Sequence, residues 1–223
     1  MKKMLFLALT GWLLICSLQS DAGEETTSAS VTAAAVDRLL EGNKRFSGYE
    51  SVHPDQSRLR RKELTKAQHP FAVVVTCSDS RVSPELVFDQ GLGDIFVIRT
   101  AGNIMGDIEL GSIEYAVEHL NVSLVMVVGH EGCGAIGAYV KREHVAGHLK
   151  TIVDSIAAES EIKALQIKGD LVIDHFVRAN ILHGVQEIRQ SSPLIREKLA
   201  NGSLKVMGAY ERLGDGKVEP LNN

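Results

Sequence analysis

Residues 71–81 read FAVVVTCSDSR, an apolar, β-branched run that stops on a cysteine and breaks into a polar turn. Residues 123–134, SLVMVVGHEGCG, repeat the layout with a glycine-rich turn. Two shorter runs of the same kind lie at 95–98 (IFVI) and 204–207 (LKVM). A strand with no polar face must be covered on both sides, which is the signature of a parallel sheet between helices. Helical spacing fills the intervals. It runs through 32–46, through a charged stretch at 56–68 ended by Pro70, and through 108–120, where Leu110, Ile113, Ala116, Val117 and Leu120 recur at helical steps. Longer helical patterns cover 151–164 and 171–199. The expected fold is α/β: a mostly parallel central sheet of four parallel strands plus a further C-terminal strand, with helices on both faces.

The chain has 223 residues, 44% hydrophobic and 23% charged, which excludes disordered, collagen-like and coiled-coil classes. A net charge of −4 and 5% aromatic residues argue against a nucleic-acid-binding surface. Three cysteines cannot build a disulfide framework.

The N-terminus has a basic start, a twelve-residue apolar run at 5–16 (LFLALTGWLLIC) and small residues at Ser20 and Ala22. That is the layout of a secretory signal peptide over residues 1–22, cut before Gly23, with a run too short to span a bilayer. Lipoprotein processing at Cys16 is the alternative, and Ile15 is bulky for it. The expectation is an exported, periplasmic chain without a membrane span after cleavage, in which residues 23–223 form one domain. Of the cysteines, only Cys77 and Cys133 remain.

Ligands of open parallel sheets sit beyond the carboxyl ends of the strands. Cys77-Ser78-Asp79-Ser80-Arg81 follows the first strand and Gly129-His130-Glu131-Gly132-Cys133-Gly134 the third. Two thiolates and an imidazole are a donor set that zinc uses in catalytic sites. The glycines at 129, 132 and 134 allow the tight backbone that convergence needs. A disulfide between Cys77 and Cys133 is the main competing account, because exported proteins with two cysteines usually pair them. Asp79 and Arg81 form either a local ion pair or a device that aims the Asp79 carboxylate at a metal or its water. His144 and His148 read as a solvated face, and His53, His69, His175 and His183 have no partner visible in sequence. Dinucleotide, phosphate-loop and nucleophile-elbow signatures are absent.

The segments CSDSRV (77–82), IRTAGN (98–103) and GHxxCG (129–134), in this order, closely resemble the β-class carbonic anhydrases. The resemblance runs from Gly42-Asn43-Lys44-Arg45-Phe46 to Val206-Met207-Gly208. It implies one zinc per chain held by Cys77, His130 and Cys133, with Asp79 either a fourth ligand or released to Arg81. It further implies reversible hydration of carbon dioxide to bicarbonate and a proton by zinc-bound hydroxide. Gln68, Phe96 and Tyr115 match residues lining the carbon dioxide pocket at a dimer interface, Gly134 matches a glycine beside it, and His119 matches a position linked to proton transfer. The implied assembly is a homodimer or homotetramer. Thr100 and Ala101 depart from the asparagine and valine frequent in plant-like members. Hydrolysis of carbon disulfide or carbonyl sulfide on the same scaffold, and an inert zinc- or bicarbonate-binding protein, are the alternative functions.

Overall fold

Strand β1 (Ala72–Cys77) and strand β3 (Leu124–His130) are buried along their whole length, as their lack of a polar face requires. Among the described residues they lie side by side and parallel at the centre of a five-stranded sheet, in the order β2 (Ile95–Thr100), β1, β3, β4 (Lys205–Glu211), β5 (Val218–Pro220). β2 and β4 flank them in parallel, and β5 adds an antiparallel edge to β4. The expected mostly parallel sheet with one further C-terminal strand is what forms. The computed structural model describes residues 28–165 and 172–221. The expected signal peptide, Cys16 and the start of the last helical pattern at Leu171 lie outside those residues. Among the described residues no helix is long and apolar enough to cross a membrane.

Side-chain alternation sends each strand to two cores. Val73, Val75, Val125, Val127 and Val206 face one of them. That core takes buried residues from α4 (Asp107–His119), α5 (Gly134–Val140), α6 (Gly147–Ala158), α7 (Ser160–Ala164), α8 (Val172–Gln190) and α9 (Pro193–Ala200). Val74, Leu124, Met126, Val128 and Met207 face the other, against Val36 and Leu39 of α1 (Ser28–Ser47) and Val87 of α3 (Pro84–Val87).

Three helical expectations change length. The pattern at 56–68 contracts to α2 (Arg58–Leu64), capped by the Ser57 side chain; it buries no residue, so no packing extends it. The pattern at 151–164 divides at Glu159, whose ψ of 132° is extended. The pattern at 171–199 divides before Pro193, which starts α9 under a Ser192 cap bonded to the Ile195 amide at 3.3 Å.

The segment Gly42-Asn43-Lys44-Arg45-Phe46 is a structural clasp. A Cβ at Gly42 would lie 1.8 Å from the Phe88 carbonyl oxygen, so only glycine lets α1 approach so closely. Asn43 donates to the carbonyls of Val87 and Gly216 and accepts from the Val218 amide at 2.8 Å, tying α1 to α3 and β5. Arg45 meets the buried Asp89 at 2.6 Å.

Candidate metal centre

The chain runs from β1 to β2 on one side and reaches β3 on the other, so connections diverge where β1 and β3 end, the usual ligand crevice of such sheets. Cys77 is the last residue of β1 and His130 the last of β3; Cys133 follows in the turn before α5. Cys77 extends the row of Val73 and Val75, whereas His130 extends the row of Leu124, Met126 and Val128 on the opposite face. Only beyond the strand ends can side chains from both faces meet. There the two sulfurs and an imidazole nitrogen come within 4.8 Å of one another, all three residues being buried.

Cys77 and Cys133 are free thiols, so the disulfide account does not describe this structure. His130 Nδ1 lies 3.0 Å from the Glu131 carbonyl oxygen, which can only accept, so Nδ1 carries the hydrogen and Nε2 the lone pair. Nε2 is buried and has no hydrogen-bond partner among the described residues. An orphaned imidazole lone pair beside two thiols is the donor set of a soft or borderline cation, and these residues fit zinc.

Electrostatics at the site follow from crowding. Cys133 beside it, joined by His130 and the Gly102 amide, lowers Cys77 to a pKa of about 4 against the opposition of burial. The same contact, with burial, raises Cys133 well above the ordinary thiol range. Burial disfavours charge on His130, yet the adjacent Cys77 more than offsets it and the pKa is raised.

The sequence leaves two states open for Asp79, and the structure shows the one held by arginine. Arg81 donates from Nε to Oδ1 at 2.9 Å and from Nη2 to Oδ2 at 2.7 Å, and its backbone amide adds a bond to Oδ1. This grip lowers the Asp79 pKa far below the usual carboxylate range. Oδ2 still lies 3.9 Å from His130 Nε2, so Asp79 borders the donor group without belonging to it.

Of the three turn glycines, Gly132 takes a positive φ of 60° and Gly134 opens onto free space. Gly129 serves packing instead, because a Cβ there would meet Ile181 at 2.6 Å.

The remaining expected site residues lie elsewhere on the chain. Gln68 is exposed just before β1, whose length of roughly 17 Å separates it from Cys77. Phe96 pairs with Val73 near the start of β2, and its ring stands 6.4 Å from Tyr115, which in turn stands 5.1 Å from His119. The structure thus makes two groups: Cys77, Asp79, Arg81, His130, Cys133 and Gly134 at one end of the sheet, and Gln68 and Phe96 towards the other, with Tyr115 beside Phe96 and His119 beside Tyr115.

Several neighbours of the site escaped the residue-by-residue reading. Arg99 donates to the carbonyls of Cys77 at 3.0 Å and Asp79 at 2.7 Å, clamping the loop between them. Gly102 donates its amide to Cys77 Sγ at 3.2 Å, and Asn180 holds the Gly102 carbonyl at 2.9 Å. Glu211 is the register partner of His130, buried, and raised to a pKa of about 7 chiefly by burial. Arg99 and Gly102 fall inside the segment 98–103, so a signal existed; Asn180, on a helix far along the chain, gave none. Elsewhere His144 and His148 are exposed as expected, whereas His183 does have a partner, Glu161 at 2.8 Å.

The carbonic anhydrase family model matches residues 72–218. A carbonic anhydrase of Mycolicibacterium smegmatis is 40% identical over 190 residues, covering 83% of this chain and 91% of that protein. Carbonic anhydrase 2 of Mycobacterium tuberculosis is 39% identical over 189 residues, covering 83% and 90%. Among solved structures, the β-carbonic anhydrase CcaA superposes with a TM-score of 0.69 at 29% identity, covering 84% of this chain and 95% of that one. One of two tetrameric β-carbonic anhydrases from Sordaria macrospora gives 0.62 at 26% identity, covering 85% and 98%. The sheet, the Cys-His-Cys group at its open end and these likenesses agree, and the chain belongs to the β-class carbonic anhydrase family.

Proposed function

We propose that the protein catalyses the zinc-dependent, reversible hydration of carbon dioxide to bicarbonate and a proton. The observation that carries this is the convergence of two free thiols on the orphaned Nε2 of His130, with Asp79 drawn aside by Arg81. Three protein donors are the number a catalytic zinc site uses, keeping its fourth position for water or substrate. Zinc bound there supplies Lewis acidity that makes hydroxide available from water near neutral pH.

The chain's own residues do the rest. Asp79, kept anionic by Arg81, accepts a hydrogen bond from the reacting water or hydroxide and turns a lone pair towards carbon dioxide. Hydroxide adds to the carbon atom, bicarbonate leaves, and the proton released from water passes to buffer. The open space at Gly134 admits the substrate beside Cys133. Phe96 offers an apolar wall to an uncharged molecule, Tyr115 lines it, and the Gln68 amide donates to an oxygen as charge develops. Because Gln68 cannot reach the metal centre of its own chain, these three act in the site of a second copy. Among the described residues β2 is an unpaired sheet edge, and beside it Ile108 is 79% exposed and Tyr115 48% exposed, which supports a homodimer or homotetramer built there. His119, exposed next to Tyr115, is placed to exchange protons with solvent. The basic start, apolar run and small residues of 1–22 support export to the periplasm, tested by a mature mass beginning at Gly23.

The deciding test is stopped-flow carbon dioxide hydration with zinc quantified in the same sample. Rapid hydration with about one zinc per chain, both lost in Cys133→Ser, is the expected result. Stoichiometric zinc without hydration overturns the proposal.

A further inference from the structure

Cys77 Sγ accepts a hydrogen bond from the Gly102 amide at 3.2 Å, a donor that belongs to neither cysteine-bearing segment. Gly102 sits in a short 3₁₀ turn after β2 with φ 69° and ψ 20°, a left-handed conformation that glycine adopts without strain. The same freedom lets a glycine leave it, so an N–H aimed at one sulfur needs a restraint on the peptide that follows. Asn180 provides that restraint. It is 3% exposed on α8, 78 residues away in sequence, and its Nδ2 donates to the Gly102 carbonyl at 2.9 Å. The other side of Gly102 faces Ala135, whose Cβ lies 3.0 Å from where a Gly102 Cβ would stand. The neighbours of Asn180 on α8, Val177 and Ile181, are themselves pressed against Gly129, next to His130. Asn180 is therefore anchored to the sheet beside one donor while it steers a bond to another.

We propose that Asn180 is a positioning residue for the metal centre: through Gly102 it fixes the N–H···S bond that tempers the donor strength of Cys77. A hydrogen bond draws charge from a thiolate and lowers the energy of its lone pairs. In a site with two thiolates, each sulfur that gives less charge leaves the cation a stronger Lewis acid. This inference rests on the reading of Cys77, His130 and Cys133 as metal ligands, and the test separates the two.

The test uses the full chain loaded with cobalt(II) and, separately, cadmium-113. In the cadmium form the Gly102 amide proton is expected to show scalar coupling to the metal, transmitted through the sulfur it is bonded to. In the cobalt form of Asn180→Leu the sulfur-to-cobalt charge-transfer band is expected at longer wavelength than in the parent, because the Cys77 lone pairs rise in energy when the N–H···S bond is lost. Asn180→Asp, which keeps the shape but turns a carboxylate on the Gly102 carbonyl, is expected to shift the band in the same direction. Loss of thermal stability with an unmoved band means a purely structural residue and overturns the proposal. Stoichiometric cadmium without coupling at Gly102 overturns it in the parent protein, whatever the variants do in folding. A parent that binds neither ion overturns the metal reading itself, and this inference with it.

Discussion

Arg81 grips Asp79 with both arms of its guanidinium, at 2.9 and 2.7 Å, in a pair two residues apart on the loop that leaves β1. The bidentate fit holds the carboxylate in one orientation, which a lysine could not do. Its oxygen stands 3.9 Å from His130 Nε2, near enough to act on whatever that nitrogen binds.

Asp79→Asn keeps the size of the side chain but removes its acceptor charge. Turnover is expected to fall by about 100-fold or more, with close to one zinc retained per chain. Arg81→Leu is expected to lose turnover as well, by freeing Asp79 towards the metal. Parent-like stopped-flow rates in Asp79→Asn remove that residue from the mechanism.

Cys133→Ser exchanges a proposed thiolate ligand for a hydroxyl. Metal content is expected to drop well below one per chain, and thermal stability with it, because metal bound only by the folded state contributes to folding free energy. Treating the parent with a strong chelator is expected to lower its melting temperature to that of the variant. Equal melting temperatures with and without metal contradict this.

Gln68→Ala and Cys77→Ser disable different parts of the proposed shared site. Each variant alone is expected to be inactive or nearly so. When the two are unfolded together and reassembled, mixed dimers regain one complete site, made by the ligands of one chain and the Gln68 of the other. If Gln68 acts within its own chain, mixing restores nothing.

Asn43 satisfies two carbonyls and one amide in a buried position. Asn43→Ala leaves all three without that partner and is expected to cost about 3 kcal/mol in urea unfolding. A loss under about 0.5 kcal/mol, the range of an ordinary surface change, shows that the clasp is dispensable.

Glu159 is 4% exposed, and burial, with Glu161 and Glu187 adding repulsion, raises its pKa to about 8. A carboxyl raised in the folded state favours folding while protonated. That contribution is complete below the ordinary carboxyl pKa of 4.5 and is lost as pH rises through about 8. Glu159→Gln, which cannot ionise, is expected to match the parent near pH 4 and to exceed it above pH 8 by on the order of 2 kcal/mol. Urea midpoints across that range check the sign, and a variant that gains stability towards acid refutes it.

Much of this protein is legible in one dimension because the determining interactions are local or periodic. Apolar β-branched runs without a polar face can only be inner strands of a covered parallel sheet, and β1 and β3 are those strands. The cysteines, histidine and Asp79 stand at strand ends, so the rule that sites form beyond carboxyl ends brings them together before any coordinates exist. Pro193 and its Ser192 cap were equally readable, although the long helical pattern hid the break they impose.

Local pattern thus accounts for the sheet, its helical cover and the donors at its open end. Three features depend on packing between distant segments or on side-chain geometry. Gln68 stands at the far end of β1 from Cys77, because a strand is a rigid spacer of roughly 3.3 Å per residue. Asp79 takes its arginine-held state, because that choice depends on rotamers within one loop. Asn180 joins Gly102, because a hydrogen bond between residues 78 apart is set by where α8 packs, and no local pattern encodes that.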